Sequence, residues 1–259
     1  MHTMAKSKTN PYSPRRSGRF QNFFLMLGAY LLSQATFALT VALDVGHSIA
    51  HPGATSARGI SEFQFNLALA DTVKTVLERS GFTVLMIGDH GDMTDLLVRT
   101  RSAKNADFFL SLHHDSVQPQ YLYWWSPKGK PQAYSDLFSG FSVFVSRSNP
   151  QPKASLLCAS KIGESLRQSG FKPTEHHAKA VRGENRQFAD WLNGVYYFDD
   201  LLVLKTTAQP AVLLESGIIV NRADELKLQD AETRNTIAEA VGDALDNCLQ
   251  PAGRLRTGK

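Results

Sequence analysis

Leu39-Thr40-Val41-Ala42-Leu43-Asp44-Val45 is an apolar, partly β-branched run that ends in Gly46-His47. A run of this length closed by glycine reads as a buried strand. Downstream, Ser61-Glu62-Phe63-Gln64 has the form of a capping box, and Leu69, Val73, Val76 and Leu77 follow at helical spacing up to Gly81. Phe82 to Ile87 reads as a second strand, residues 94–106 as a helix, and Phe108 to Leu112 as a third strand running into His113-His114. Strand and helix in alternation predict an α/β fold: a single domain with a twisted, mostly parallel (mixed) sheet of about six strands and helices on both faces.

Farther along, residues 117–139 break the alternation with Pro119, Pro127, Gly129 and Pro131 around Tyr121, Tyr123, Trp124 and Trp125. Connections of this length are usually lids or mobile loops. The aromatic cluster reads as cover for the sheet, with stacking on sugar rings as the alternative. Phe141 to Ser146 reads as a strand, 153–170 as a helix, and 172–200 as a second irregular stretch in which His176-His177 are expected to be exposed. Leu201 to Leu204 and Ala211 to Glu215 read as two further strands, and a helix over 230–249 closes the domain.

The chain has 259 residues, 42% of them hydrophobic, which excludes disorder and leaves ample material for a core. Its 28 basic residues exceed its 24 acidic ones, a balance that would suit a nucleic-acid binder. Position decides otherwise. Lys6, Lys8, Arg15, Arg16 and Arg19 precede the apolar run Phe23 to Leu32, and small side chains at Thr36 and Ala38 follow. That is the layout of a signal peptide over residues 1–38, with an uncleaved anchor as the alternative. Without those five residues 23 basic side chains face 24 acidic ones, so nothing points to nucleic acid or to an anionic membrane as a partner. The expected layout is a signal peptide over 1–38, a catalytic domain over 39–250 and a flexible tail over 251–259. Export places Cys158 and Cys248 in an oxidising compartment, where they either pair or remain two buried thiols.

No nucleophile elbow, phosphate loop, dinucleotide fingerprint or HExxH motif is present. His47 and His51 stand four apart, but Pro52-Gly53 rules out a helix that would aim both at one metal. What remains is polar residues at the ends of apolar strands: His47, His113 and Glu215, with Glu62 in the first turn of the helix between them. Ligands of α/β sheets gather at the carboxyl ends of strands. Catalytic zinc commonly takes two histidines and a carboxylate and leaves a position for water, while a further carboxylate moves the proton. His47, Glu62 and His113 are therefore assigned to the metal and Glu215 to acid/base work. Plainer roles fit too: Glu62 suits a helix's positive end without any metal, and His47 suits a turn. Alternation places His113 with Phe109 and Ser111, and His114 with Leu110 and Leu112.

Leu43-Asp44-Val45-Gly46-His47, Glu62-Phe63-Gln64-Phe65-Asn66-Leu67-Ala68, Ser111-Leu112-His113-His114 and Pro210 to Gly217 with Asn221 together resemble the type 3 class of zinc-dependent N-acetylmuramoyl-L-alanine amidases. The resemblance runs through almost the whole chain after residue 38. It implies Zn2+ on His47, Glu62 and His113, Glu215 as the catalytic carboxylate, and hydrolysis of the amide between N-acetylmuramic acid and L-alanine in peptidoglycan during wall remodelling. The signal-peptide layout of residues 1–38 separately predicts a periplasmic or secreted location. Val45 stands where such amidases usually have proline, and 117–139 is longer than their usual link. Some periplasmic relatives carry a segment that occludes the zinc until a protein activator displaces it; 117–139 or 172–200 is expected to gate here. A non-catalytic peptidoglycan-binding module and a zinc peptidase acting on the stem peptide are the alternatives, separated by metal content and by the masses of digested muropeptides.

Overall fold

The computed structural model describes residues 38–249; the expected signal peptide, apart from Ala38, and the expected tail lie outside the described residues. Strands β1 (Thr40–Val45), β2 (Thr83–Ile87) and β3 (Phe108–Asp115) alternate with helices α1 (Glu62–Arg79) and α2 (Leu96–Ser102) as the periodicity predicts. A hairpin of β4 (Tyr123–Trp125) and β5 (Gln132–Tyr134) follows. Next come β6 (Ser142–Val145), α3 (Pro152–Gln168), β7 (Phe188–Asp190), β8 (Val195–Tyr197), α4 (Leu202–Thr206), β9 (Ala211–Ile218), α5 (Arg222–Gln229) and α6 (Ala231–Leu249).

Seven strands form the main sheet in the order β2-β1-β3-β9-β6-β8-β7. All pairings from β2 through β9 are parallel; β6 runs antiparallel to β9, β8 parallel to β6, and β7 antiparallel to β8. The sheet is mixed and mostly parallel, with helices on both faces. Val41, Leu43, Val45, Phe108, Leu110 and Leu112 face one core with buried side chains of α1, α3 and α6. Ala42, Phe109 and Leu213 face a smaller core on the other side with Val203 and Leu204 of α4. Full burial of each Leu, Val or Phe contributes about 1.5–3 kcal/mol, which makes β1, β3 and β9 the rigid centre of the domain.

Several expectations need correction. Leu201 to Leu204 starts a helix, not a strand, because a four-residue apolar run carries no period of its own; Val203 and Leu204 bury themselves as one turn under the sheet. The capping box does not form: Ser61 makes no side-chain cap bond, its backbone bridging Thr55 instead. The aromatic cluster covers the sheet only in part: Tyr121 packs against the small apolar group that includes Ile218 of β9, whereas Trp124 is 73% exposed and Tyr123 55%. His176 and His177 are buried, at 1% and 6% exposure. Cys158 of α3 and Cys248 of α6 form a disulfide, with Cα atoms 5.2 Å apart.

Candidate metal centre

β1 and β3 are neighbours in register, so their carboxyl ends deliver His47 and His113 to one place. The turn after β1 is tightly held. Arg99, 2% exposed, reaches up from α2 and donates through Nη1 to Asp44 Oδ1 (2.7 Å) and to the Val45 carbonyl (2.6 Å). Its Nη2 donates to the carbonyls of Met93 (2.6 Å) and His47. The second oxygen of Asp44 accepts from Ser111 Oγ at 2.6 Å. His47 itself stands at φ 71°, a conformation that non-glycine residues adopt only under constraint. No sequence signal identified Arg99, because its acceptors lie as many as 55 residues away and are mostly carbonyls.

Glu62, 5% exposed at the start of α1, stands between the two imidazoles. His47 Nε2 is 3.0 Å from Glu62 Oε2 and His113 Nδ1 is 2.9 Å from Oε1. One ligand atom from each residue lies within 4.8 Å of the others. Backbone amides hold the carboxylate from behind, Ala54 donating at 3.0 Å and His114 at 3.3 Å. Asn66 lies one turn along α1. Its amide donates to the Gly46 carbonyl at 3.1 Å, and its carbonyl oxygen lies 2.8 Å from His114 Nδ1. Two glycines leave room for the group: a Cβ on Gly46 would overlap the His113 ring, and one on Gly53, at φ +76°, would overlap Glu62 and His47. A cleft of about 240 Å3 opens beside His47 and His113.

Of the four residues singled out in the sequence, His47, Glu62 and His113 thus come together at the carboxyl ends of β1 and β3. His113 points to the side of Phe109 and Ser111, while His114 turns to α1. Glu215 lies directly across from His113 in the β3–β9 register, inside β9 rather than at its end. Its Oε2 is buried and among the described residues has no hydrogen-bond partner. Burial, with the charges of Asp115 and Glu62 behind it, raises its pKa well above the usual carboxylate range. Glu62 goes the other way: burial opposes its ionisation, but bonds from His113 and His47 outweigh that and lower its pKa. His114 is pushed down to about 3 by burial and stays neutral. The two carboxylates thus differ in direction, burial favouring the neutral form of Glu215 and the two imidazoles favouring the ionised form of Glu62.

Residues 41–247 match the N-acetylmuramoyl-L-alanine amidase family. The chain belongs to this family. Among curated relatives, the "probable cell wall amidase LytH" of Staphylococcus aureus is 27% identical over 208 residues, which cover 80% of this chain and 57% of that protein. The chain therefore spans little more than half the length of the curated relatives it matches. Among solved structures, the amidase AmiC2 of Nostoc punctiforme superposes with a TM-score of 0.61 at 22% identity, over 82% of this chain and 98% of that one. The amidase Ami1 of Mycobacterium smegmatis gives 0.65 at 20% identity, over 82% and 96%. The CwlD amidase of Clostridioides difficile, solved in complex with the GerS lipoprotein, gives 0.57 at 22%, over 82% and 98%. At these identities the structures speak for the fold.

In this amidase-family chain the donor set suits zinc. Two imidazoles and one buried carboxylate are borderline-soft nitrogen and hard oxygen ligands in the ratio that catalytic zinc sites use. Beyond the expected residues, the same face of the sheet carries a second cluster that the sequence reading took for solvent-exposed histidines. His177 Nε2 lies 2.8 Å from Asp115 Oδ2 and its Nδ1 lies 2.9 Å from Glu184 Oε2. Burial disfavours a charge on His177, but Asp115 and Glu184 prevail and push its pKa up to about 9.

Proposed function

We propose that this protein is a zinc-dependent N-acetylmuramoyl-L-alanine amidase that cleaves the amide between N-acetylmuramic acid and L-alanine in exported peptidoglycan. The observation that carries the reading is the convergence of His47, Glu62 and His113 beside a buried, unpartnered carboxylate at Glu215. His47, Glu62 and His113 would hold the ion. When bound, zinc supplies a Lewis acid for the lactyl carbonyl and for developing negative charge.

The chain's own residues do the rest. Glu215 accepts a proton from the attacking water at its carboxylate. The water oxygen bonds to the carbonyl carbon, the carbon–nitrogen bond breaks, and Glu215 returns the proton to the departing L-alanine nitrogen. The products are a lactyl carboxylic acid and a free amine, so atoms and protons balance. Burial alone favours the protonated form of Glu215; a divalent cation held at the neighbouring centre would favour the carboxylate, leaving Oε2, which has no competing hydrogen bond among the described residues, open to accept the proton and then return it. Arg99, Asp44 and Asn66 touch no reacting atom; they hold the backbone of the His47 turn.

Export to the periplasm or cell wall belongs to this reading, supported by the basic and apolar N-terminal sequence and by the likeness to the staphylococcal cell wall amidase. Among the described residues no helix is long and apolar enough to cross a membrane. A protein activator acting on a gating segment is also part of it, supported by the lipoprotein complex of the clostridial CwlD. Within 117–139, the β4–β5 hairpin is pinned by Trp125 Nε1 to the Ala57 carbonyl at 2.8 Å, beside the loop that leads into Glu62. The test is paired substitution with two readouts. Glu215→Ala retains the wild-type zinc content and loses turnover, while His113→Ala loses one equivalent of zinc and turnover together. Turnover persisting in either variant contradicts the assignment.

A further inference from the structure

We propose that Asp115, His176 and His177 form a second divalent-cation site, of the zinc class, separate from the one at His47, Glu62 and His113. The argument is geometric. His176 Nε2 and His177 Nε2 converge on one oxygen, Asp115 Oδ2, at 3.2 and 2.8 Å. One ligand atom from each of the three residues lies within 4.8 Å of the other two. Ligands about 2.0–2.1 Å from a tetrahedral zinc are separated from one another by roughly 3.3 Å. The observed spacings are close to that.

The far nitrogens of both rings are already held, as metal-bound imidazoles usually are. His177 Nδ1 faces Glu184 Oε2 at 2.9 Å, and His176 Nδ1 faces Thr174 Oγ1 at 2.9 Å. Each ring is therefore fixed with Nε2 turned inward. A second observation is independent of the cluster's composition. His176 is 1% exposed, and among the described residues its Nε2 makes no hydrogen bond, its 3.2 Å approach to Asp115 Oδ2 being an ion-pair contact only. A buried ring nitrogen without a hydrogen bond is unfavourable unless something satisfies it. A cation between the three atoms does so.

Charge agrees with this. Among the described residues no lysine or arginine pairs with Asp115, whose ionic neighbours are the two histidines. The cluster also has structural consequences. His176 and His177 belong to the irregular stretch 172–200, whereas Asp115 closes β3 two residues after His113. An ion here ties that stretch to the end of the strand that carries the first centre. None of its ligands is shared with that centre, and the proposal does not depend on the amidase reading.

The test is metal stoichiometry on the full chain, saturated with zinc near pH 7.5, desalted and analysed by mass spectrometry, with folding followed by circular dichroism. The expected result is two zinc ions per chain in the wild type. His47→Asn, which keeps a residue tolerant of positive φ while removing one imidazole, retains one. His176→Gln and Asp115→Asn also retain one each, at the first centre. Because these buried substitutions risk unfolding, Co2+ titration of the wild type provides a second measurement: two equivalents develop the visible absorption of imidazole-coordinated cobalt. One equivalent in the wild type with none in folded His47→Asn overturns the proposal. So does a folded His176→Gln chain that still binds two.

Discussion

Arg99 donates to the carbonyl oxygen of His47, the residue that leaves β1 in a left-handed conformation. The same guanidinium neutralises Asp44, so one side chain both balances a buried acid and aims a metal-ligand candidate. Replacing Arg99 with methionine keeps volume but leaves Asp44 buried without a counter-charge. Breaking such a pair from one side costs about 3–5 kcal/mol. Urea denaturation is expected to show a loss of that size, and zinc affinity is expected to fall as the turn relaxes. An Arg99→Met chain of wild-type stability would contradict this role.

Glu215 presents the opposite case, a residue that function keeps against stability. Its buried Oε2 has no hydrogen-bond partner among the described residues. Glu215→Gln replaces a carboxylate that resists ionisation with a neutral group of the same shape. Thermal denaturation is expected to show a stability equal to the wild type or higher by about 1 kcal/mol, alongside loss of hydrolysis. A large destabilisation would mean that the carboxylate has a structural partner.

Gly53 lies against both Glu62 and His47 and stands at φ +76°. Gly53→Ala introduces left-handed strain of about 1–2 kcal/mol and pushes the Glu62 carboxylate off its place between the imidazoles. Zinc affinity, measured by competition with a chromogenic chelator, is expected to drop about 10–100-fold. Unchanged affinity would show that the Gly53 loop yields freely.

The disulfide between Cys158 and Cys248 joins α3 to α6 across a separation of 90 residues. Closing a loop of that size in the unfolded chain contributes about 2–4 kcal/mol. The Cys158→Ser/Cys248→Ser double variant is expected to melt roughly 5–15 °C lower. Hydrolysis at 25 °C should survive, since the bridge joins α3 to α6 and neither cysteine belongs to the His47, Glu62 and His113 group. An unchanged melting temperature would indicate that helix packing alone holds α3 on α6.

The central strands were legible because β1, β3 and β9 are continuous apolar runs; two-residue alternation along β3 put His113 and His114 on opposite faces, and the family resemblance, not the alternation, singled out His113. Glu215 stood out because a carboxylate directly after four apolar strand residues demands a reason. Arg99 did not stand out, since its acceptors are an acid and carbonyls brought close only by the fold. His176 and His177 were read as exposed because the carboxylate that buries them, Asp115, lies about sixty positions away in sequence. β7 and β8 have three residues each, too few for a period to register. α4 failed for the same reason, its apolar run fitting a strand as well as a turn of helix.

The most direct test is digestion of purified sacculi by the zinc-loaded chain, followed by mass spectrometry of the soluble products. The account predicts intact stem peptides beginning with a free L-alanine amine, together with glycan strands that carry lactyl carboxylates and no peptide. Fragments cut within the stem peptide, or sacculi bound but left undigested by zinc-loaded protein, would contradict it.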